Sequence, residues 1–264
     1  MSKEVVGSMS EWSGVLKDLF RQINDGSLAI KHFQALLEHR NPFDSSLYQL
    51  ILETKKLLSE RFDKKITVDP LPAEFTEENL ARWGKYNLKP IFLPDEEISE
   101  GRELKDWVMP PGKFYQWIKD GEIAKDSAML KRGWYLVDFT VCTNYTDGTQ
   151  VLKNDPLAPI IKDLRQRGKV GKYEKTPLGS RFSIIPKDEW PVVIDNLVNE
   201  IKIKPHSYTE KRLERYIEFL TIGNLYDKNR GKFNTWEWFS DDFEVSRRLC
   251  GGDRDYGGLA NVRL

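Results

Sequence analysis

The chain has 264 residues, of which 39% are hydrophobic and 12% aromatic, so core material is plentiful and general disorder is excluded. Lys and Arg number 41, as do Asp and Glu, which excludes an overall basic field of the kind that drives non-specific nucleic-acid binding. Two distant cysteines exclude a disulfide framework, and the sequence has neither an apolar run of membrane-spanning length nor a secretion-signal core, so we expect a soluble cytoplasmic protein.

Residues 1–62 are predicted to form an N-terminal helical unit. Apolar side chains recur at helical spacing from Val15 to Ile23, from Ala29 to Leu37 and from Leu47 to Phe62. Residues 63–75 contain two prolines and are predicted to be a linker. We expect the helical unit to pack on the main domain, residues 76–264, or on a copy of itself.

After residue 75 the pattern changes to mixed strands and helices. Strand-like runs are predicted at Lys89–Leu93, Gly133–Cys142 and Arg181–Ile185. Amphipathic helical stretches are predicted at Phe114–Ile118, Leu157–Arg167 and Glu189–Ile201, and a capping box at Ser207–Glu210 is predicted to open a helix over Lys211–Leu220. From Thr221 onward the composition indicates loops. These elements predict an α+β fold with much irregular structure.

Common catalytic signatures are missing from the sequence. It contains no glycine-rich phosphate loop, no nucleophile elbow and no His/Cys cluster of metal-ligand spacing, and the three histidines are scattered. We therefore predict no catalytic residue, no metal site and no cofactor.

Three C-terminal stretches carry the strongest signals: Ser180–Trp190, then Gly223–Asp227 with Asn234–Trp238, then Arg247–Gly258. In the first, Pro186 and Glu189 suit the opening turn of a helix. In the second, an extended Trp236-Glu237-Trp238 segment places both indoles on one side and the carboxylate on the other. We expect the two indoles to be buried and structural, and Glu237 to pair with an arginine such as Arg248.

These stretches resemble the formylglycine-generating-enzyme-like (sulfatase-modifying-factor) domain, a variant of the C-type lectin fold. That family shows an R-L-P-T-E-x-E-W stretch, then G-L-x-D-M-x-G-N-V-W-E-W, then R-G-G-S-W, in the order found here, and the match is strongest over residues 180–264. The resemblance implies a C-type lectin-like domain over residues 76–264. Its implied structural framework consists of Arg181, Pro186, Glu189, Trp190, Trp236, Glu237, Trp238, Arg248, Gly251 and Gly252.

The chain departs from the enzymes of that family in its cysteines. The family's cysteine pair lies beyond the R-G-G-S-W region, and neither Cys142 nor Cys250 matches that position. The closing strand that ends in G-F-R is also missing, so either the chain is truncated or the fold ends differently. The resemblance therefore favours a relative without the oxidase chemistry.

The layout also resembles variable proteins of diversity-generating retroelements, which keep the C-type lectin fold and vary a ligand surface near the C-terminus. The phrase Leu36–Phe43 resembles proteins of reduced-genome bacteria with this layout. The resemblance implies a ligand-binding surface made of Asp253, Arg254, Asp255, Tyr256, Asn261 and Arg263. Polar side chains interleaved with glycines also indicate an exposed loop.

The expected function is ligand or protein binding through the loop surface of residues 236–263, without a membrane partner. One alternative is an enzyme of the formylglycine-generating superfamily. A second is nucleic-acid binding through the basic run Lys162–Lys175, although Asp163 and Glu174 dilute its charge. The ligand and the oligomeric state are left open.

Overall fold

The computed structural model describes residues 9–26, 28, 34, 46–141, 152, 154–172, 175–182, 184–204, 210–227, 229–231, 236–243, 247–252 and 262–263, and the side chains of residues 9–11, 236 and 263 are outside the description. Over these residues the fold is mixed α+β, as predicted. The helices are α1 (Met9–Asn24), α2 (Ser46–Arg61), α3 (Glu77–Gly84), α4 (Gly112–Asp120), α5 (Ala158–Gln166), α6 (Trp190–Glu200) and α7 (Tyr216–Leu225).

The strands form small antiparallel sheets. They are β1 (Leu88–Leu93), β2 (Glu96–Glu97), β3 (Met129–Leu130), β4 (Gly133–Asp138), β5 (Trp236–Phe243), β6 (Arg247–Gly252) and β7 (Val262–Arg263). β1 pairs with β4, β2 pairs with β3, and the C-terminal sheet has the order β5-β6-β7. The predicted strands at 89–93 and 133–142 are therefore confirmed in position, the second as far as Asp138.

Helix α7 lies at the centre of the molecule. Its sequence, YIEFLTIGNL, is apolar on nearly every side, which is the pattern of a fully enclosed helix. Phe219 and Leu220 pack in one core cluster with Phe239 of β5, while Ile217 and Ile222 pack in a second cluster with β1 and α2. The helix thus joins the C-terminal sheet to the rest of the fold.

Helix α2 and the segment after it pack on this same core. Leu58 and Phe62 are buried with Ile217, and the Arg61 guanidinium donates to the Asn224 carbonyl oxygen at 2.9 Å. Ile66 and Val68, within the predicted linker of residues 63–75, are also buried. In contrast, α1 keeps its apolar stripe largely exposed. The predicted second helical stripe lies almost wholly outside the described residues.

Four predictions after residue 180 are wrong in position. The described residues of Arg181–Ile185 contain no strand, and Pro186 precedes α6 by a turn because the helix starts at Trp190 with Pro191 in its first turn. The helix predicted over 211–220 begins at Tyr216 and continues to Leu225. The region from Thr221, predicted as loop, contains the end of α7 and all three strands of the C-terminal sheet.

Candidate functional site

The C-terminal sheet has an inner and an outer face, and β5 shows which residues occupy each. Phe239, Asp241 and Phe243 are buried, whereas Trp238 is 42% exposed and Asp242 is also exposed. Alternation along a strand therefore places Trp238 on the outer face, although a register shift interrupts the pairing between Trp238 and Asp242. We call this side of the β5-β6-β7 sheet the outer face.

This orientation corrects the prediction for the W-E-W segment. Trp238 is not buried, and Glu237 lies on the core side of β5, where its charge acts on Arg230. Arg248 instead approaches Asp242, with 3.5 Å between Nε and Oδ1. The prediction that the indoles are buried is therefore wrong for Trp238. The side chain of Trp236 lies outside the described residues.

The inner face of β5 rests on the first turn of α7. The Asp241 carboxylate accepts the backbone N–H of Tyr216 at 2.6 Å, an arrangement that places a negative charge at the positive end of the helix dipole. Ser240 N–H donates to the Glu214 carbonyl oxygen at 2.9 Å. Two hydrogen bonds thus fix the middle of β5 against the residues that open α7.

A carboxylate and two arginines complete the cap of α7. Glu218 accepts the backbone N–H of Arg215 at 2.8 Å and forms two hydrogen bonds with the Arg212 guanidinium at 2.7 and 2.8 Å. Burial acts to raise the pKa of Glu218, but the Arg212 pair outweighs it and lowers the pKa. Arg215 donates onward to the carbonyl oxygens of Asp126 and Met129. The helix start is therefore tied to the segment before β4 as well.

Beside this cap lies a second buried ion pair, which faces β5. Arg230 Nη2 lies 2.7 Å from Glu214 Oε1, and its guanidinium lies over the rings of Phe139 and Phe219 at 5.8 and 5.5 Å. Burial raises the pKa of Glu214 to about 7, because the attraction of Arg230 offsets only part of the desolvation and the charge of Glu237 adds to the rise. Glu214 therefore titrates close to neutral pH.

We expect Glu214→Gln to stabilise the protein at about pH 8 and to have little effect at about pH 4. In the unfolded chain the Glu214 pKa returns to its ordinary value of 4.5. Between pH 4.5 and about pH 7 the folded protein therefore keeps a proton on Glu214 that the unfolded chain has lost. The free energy of unfolding of the wild-type protein therefore decreases as the pH rises through this range. In Glu214→Gln this decrease is absent, because glutamine does not titrate. Chemical denaturation at several pH values measures the difference. Glu210→Gln is the matched control, since the Arg212 hydrogen bond lowers the Glu210 pKa instead.

Arg181 and Glu189, two predicted framework residues, make structural contacts. Arg181 binds Asp155 through two 2.7 Å hydrogen bonds and Asp138 through one of 2.5 Å. Glu189 accepts the backbone N–H groups of Ile185 and Gly171 at 2.8 and 2.5 Å. The segment around 180–190 is therefore held by side-chain bonds to loops, which replaces the strand pairing that was predicted there.

The other framework residues lie in α6 and in β6. Trp190 packs partly buried against the cluster of α5 and α6. Gly251 and Gly252 are buried in β6, paired with Glu237 and Trp236 in register, and Gly252 has φ 96, a backbone conformation that favours glycine. Cys250 is buried opposite Trp238.

The predicted ligand residues Asp253, Arg254, Asp255, Tyr256 and Asn261 lie outside the described residues. Arg263 is in β7, where the register places it next to Cys250, and its side chain is likewise outside the description. The structure describes the two strands on either side of residues 253–261 in the sequence: β6 ends at Gly252 and β7 begins at Val262. β6 is the central strand of the sheet, with β5 on one side and β7 on the other.

The basic run Lys162–Lys175 is interrupted by a buried arginine. Arg165 holds the loop that follows α5. Its guanidinium donates to five backbone carbonyl oxygens, those of Gly171, Pro177, Leu178, Ser180 and Phe182. Arg167 pairs with Asp163 at 2.5 Å. The guanidinium of Arg165 is thus occupied within the protein and is not presented to a phosphate backbone.

Sequence reasoning missed the charged residues beneath β5, chiefly Glu214, Arg230 and Asp241. For the neighbouring cap a signal was available, because Glu218, the single glutamate within the apolar run of α7, requires a buried partner such as Arg212. No helix in the described part of the chain is long and apolar enough to cross a membrane.

No protein-family model, curated protein or solved structure matches the chain.

Proposed function

We propose that the chain is a non-catalytic binding protein whose ligand contacts the outer face of the β5-β6-β7 sheet and the residues between β6 and β7. The proposal rests mainly on the exposure of Trp238. This large aromatic side chain is 42% exposed on a strand whose opposite face is buried in the core. Exposed tryptophan on a rigid element supplies contact area at low entropic cost, and tryptophan is enriched among the residues that dominate binding energy.

The composition between the two strands supports the same function. The sequence between β6 and β7 contains Asp253, Arg254, Asp255, Tyr256 and Asn261, whose side chains can form directional hydrogen bonds, and Tyr256 adds an aromatic ring. We infer that the domain is a C-type lectin-like scaffold, because the W-E-W and R-x-x-G-G segments that resemble that family occupy two paired strands. A diversified target protein is the role that best fits such a surface.

A direct test screens the full chain against a displayed random-peptide library and a glycan array. We expect binders whose affinity falls about 30-fold on Trp238→Ala or Tyr256→Ala, since a central aromatic anchor contributes about 2 kcal/mol or more. Trp12→Ala is the matched control, because Trp12 is 46% exposed but lies on α1. Its affinity should stay within about twofold of wild type.

Two outcomes contradict the proposal. One is enrichment of no ligand by wild-type protein. The other is a set of ligands whose affinity is unaffected by Trp238→Ala, Arg254→Ala, Tyr256→Ala and Asn261→Ala alike. Melting temperatures of all variants accompany the screen, so that lost affinity is not confused with lost folding.

A further inference from the structure

Arg230 pairs with one carboxylate, Glu214, and lies within the electrostatic influence of a second, Glu237 of β5. Glu214 precedes α7 and pairs with Arg230 at 2.7 Å, while Glu237 lies on the inner face of β5 and its charge acts on both of them. The Glu214 side chain is largely buried. Among the residues that the structure describes, its second oxygen, Oε2, has no hydrogen-bond donor. The pair is therefore incompletely satisfied when both carboxylates are charged.

The residues Glu214, Arg230 and Glu237 are connected to the outer face through β5. Glu237 directly precedes Trp238, and Ser240 N–H donates to the carbonyl oxygen of Glu214 itself. A change in the Glu214–Arg230–Glu237 group therefore acts on the same stretch of β5 that presents Trp238. Glu237 is also paired in register with Gly251, the residue before the end of β6.

We propose that Glu214, Arg230 and Glu237 form a pH-responsive clamp that positions Trp238, so that the binding surface is held more firmly in mild acid than in mild alkali. This inference rests on the proposed function for its biological role, but the clamp can be tested without any ligand. Arg230 is the positioning residue of the clamp, since it pairs with Glu214 before α7 and responds to the charge of Glu237 on β5.

The charges around the clamp determine the direction of the effect. Arg230 attracts Glu214, whereas Glu237 from β5 and Glu218 from α7 repel it, and Asp227 at the end of α7 adds its negative charge at Arg230. The two other arginines at the helix start, Arg212 and Arg215, are engaged with Glu218. Deprotonating Glu214 thus adds a buried negative charge that Glu237 and Glu218 repel, and protonation relieves that repulsion.

The test is fluorine NMR of the full chain labelled with 5-fluorotryptophan. The Trp238 resonance is identified by its loss in Trp238→Phe. We expect its chemical shift to titrate with a midpoint near 7, the pKa to which burial raises Glu214. In Glu214→Gln the Trp238 shift should be flat over the same range. In Glu237→Gln the midpoint should move to lower pH, because the removed charge is one that raises the Glu214 pKa.

Glu210→Gln is the control, since Glu210 is an exposed carboxylate before α7 that pairs with Arg212. Its titration curve should match wild type. A Trp238 resonance that is flat in wild type, or one whose titration survives Glu214→Gln unchanged, overturns the clamp.

A ligand from the screen then separates the two proposals. We expect its affinity to be about fivefold higher at about pH 6 than at about pH 8, and this difference to vanish in Glu214→Gln. An affinity that ignores Trp238, together with a titrating Trp238 resonance, overturns the proposed function and leaves the clamp supported. An affinity that needs Trp238 but does not change with pH overturns the clamp as a regulator of binding.

Discussion

Arg181→Ala is expected to lower the free energy of unfolding by about 3–5 kcal/mol, because it leaves buried carboxylate charge without its partner. Asp155 is almost completely buried, and both of its oxygens accept hydrogen bonds from Arg181. The same guanidinium also reaches Asp138 at the end of β4. The arginine therefore joins three segments that are distant in sequence, and urea denaturation of the variant measures the loss.

Two further variants separate this mechanism from lost packing. In the double variant Arg181→Met with Asp155→Leu, the buried charge and its partner are removed together, so the loss should be smaller than in Arg181→Ala. Arg167→Ala removes an exposed ion pair with Asp163 and should change stability by less than about 1 kcal/mol. Equal losses in Arg181→Ala and in the double variant contradict the assigned role.

Phe239→Ala is expected to cost about 3–5 kcal/mol, whereas Trp238→Ala should stay within about 0.5–1 kcal/mol of wild type. Phe239 is fully buried, and its ring packs against Tyr216 and Phe219 at centroid distances of 5.5 and 5.1 Å. Trp238 is the next residue along β5 and lies on the opposite face. Adjacent aromatic residues of similar size thus differ several-fold in their contribution to stability.

The comparison is read from thermal and urea unfolding of the two single variants. A large loss for Trp238→Ala with a small one for Phe239→Ala would falsify the assignment of the faces of β5. That result would also restore the burial of the tryptophan that the sequence pattern predicts.

Local patterns in the sequence predicted the elements that local forces determine. The amphipathic stretch Leu157–Arg167 matches α5 to within a residue at each end, and the aromatic and β-branched run after Gly133 is a strand. These elements follow from side-chain periodicity, which a single segment already contains. Their positions could therefore be predicted without knowledge of the rest of the fold.

The errors occur where distant residues decide the outcome. Alternation in W-E-W predicts that the indoles share a side, but it cannot tell which side faces the core. The fold decides this, because the Asp241 carboxylate of β5 accepts the Tyr216 N–H at the start of α7 and Trp238 is left exposed. In the same way, the described residues of the strand-like run 181–185 form no strand, and the Arg181 side chain at its start is bound to Asp155 and Asp138. Neither effect is visible in the segment itself, since both depend on charges brought together by folding.

The most direct test of the binding account is hydroxyl-radical footprinting of the intact protein, alone and saturated with a peptide or glycan from the screen. Alone, Trp238 and Trp12 should both be oxidised readily, while Trp83, which is 2% exposed, should be protected. In the complex, Trp238 should become protected while Trp12 stays reactive. Protection of Trp12 with unchanged oxidation of Trp238 would contradict the binding account.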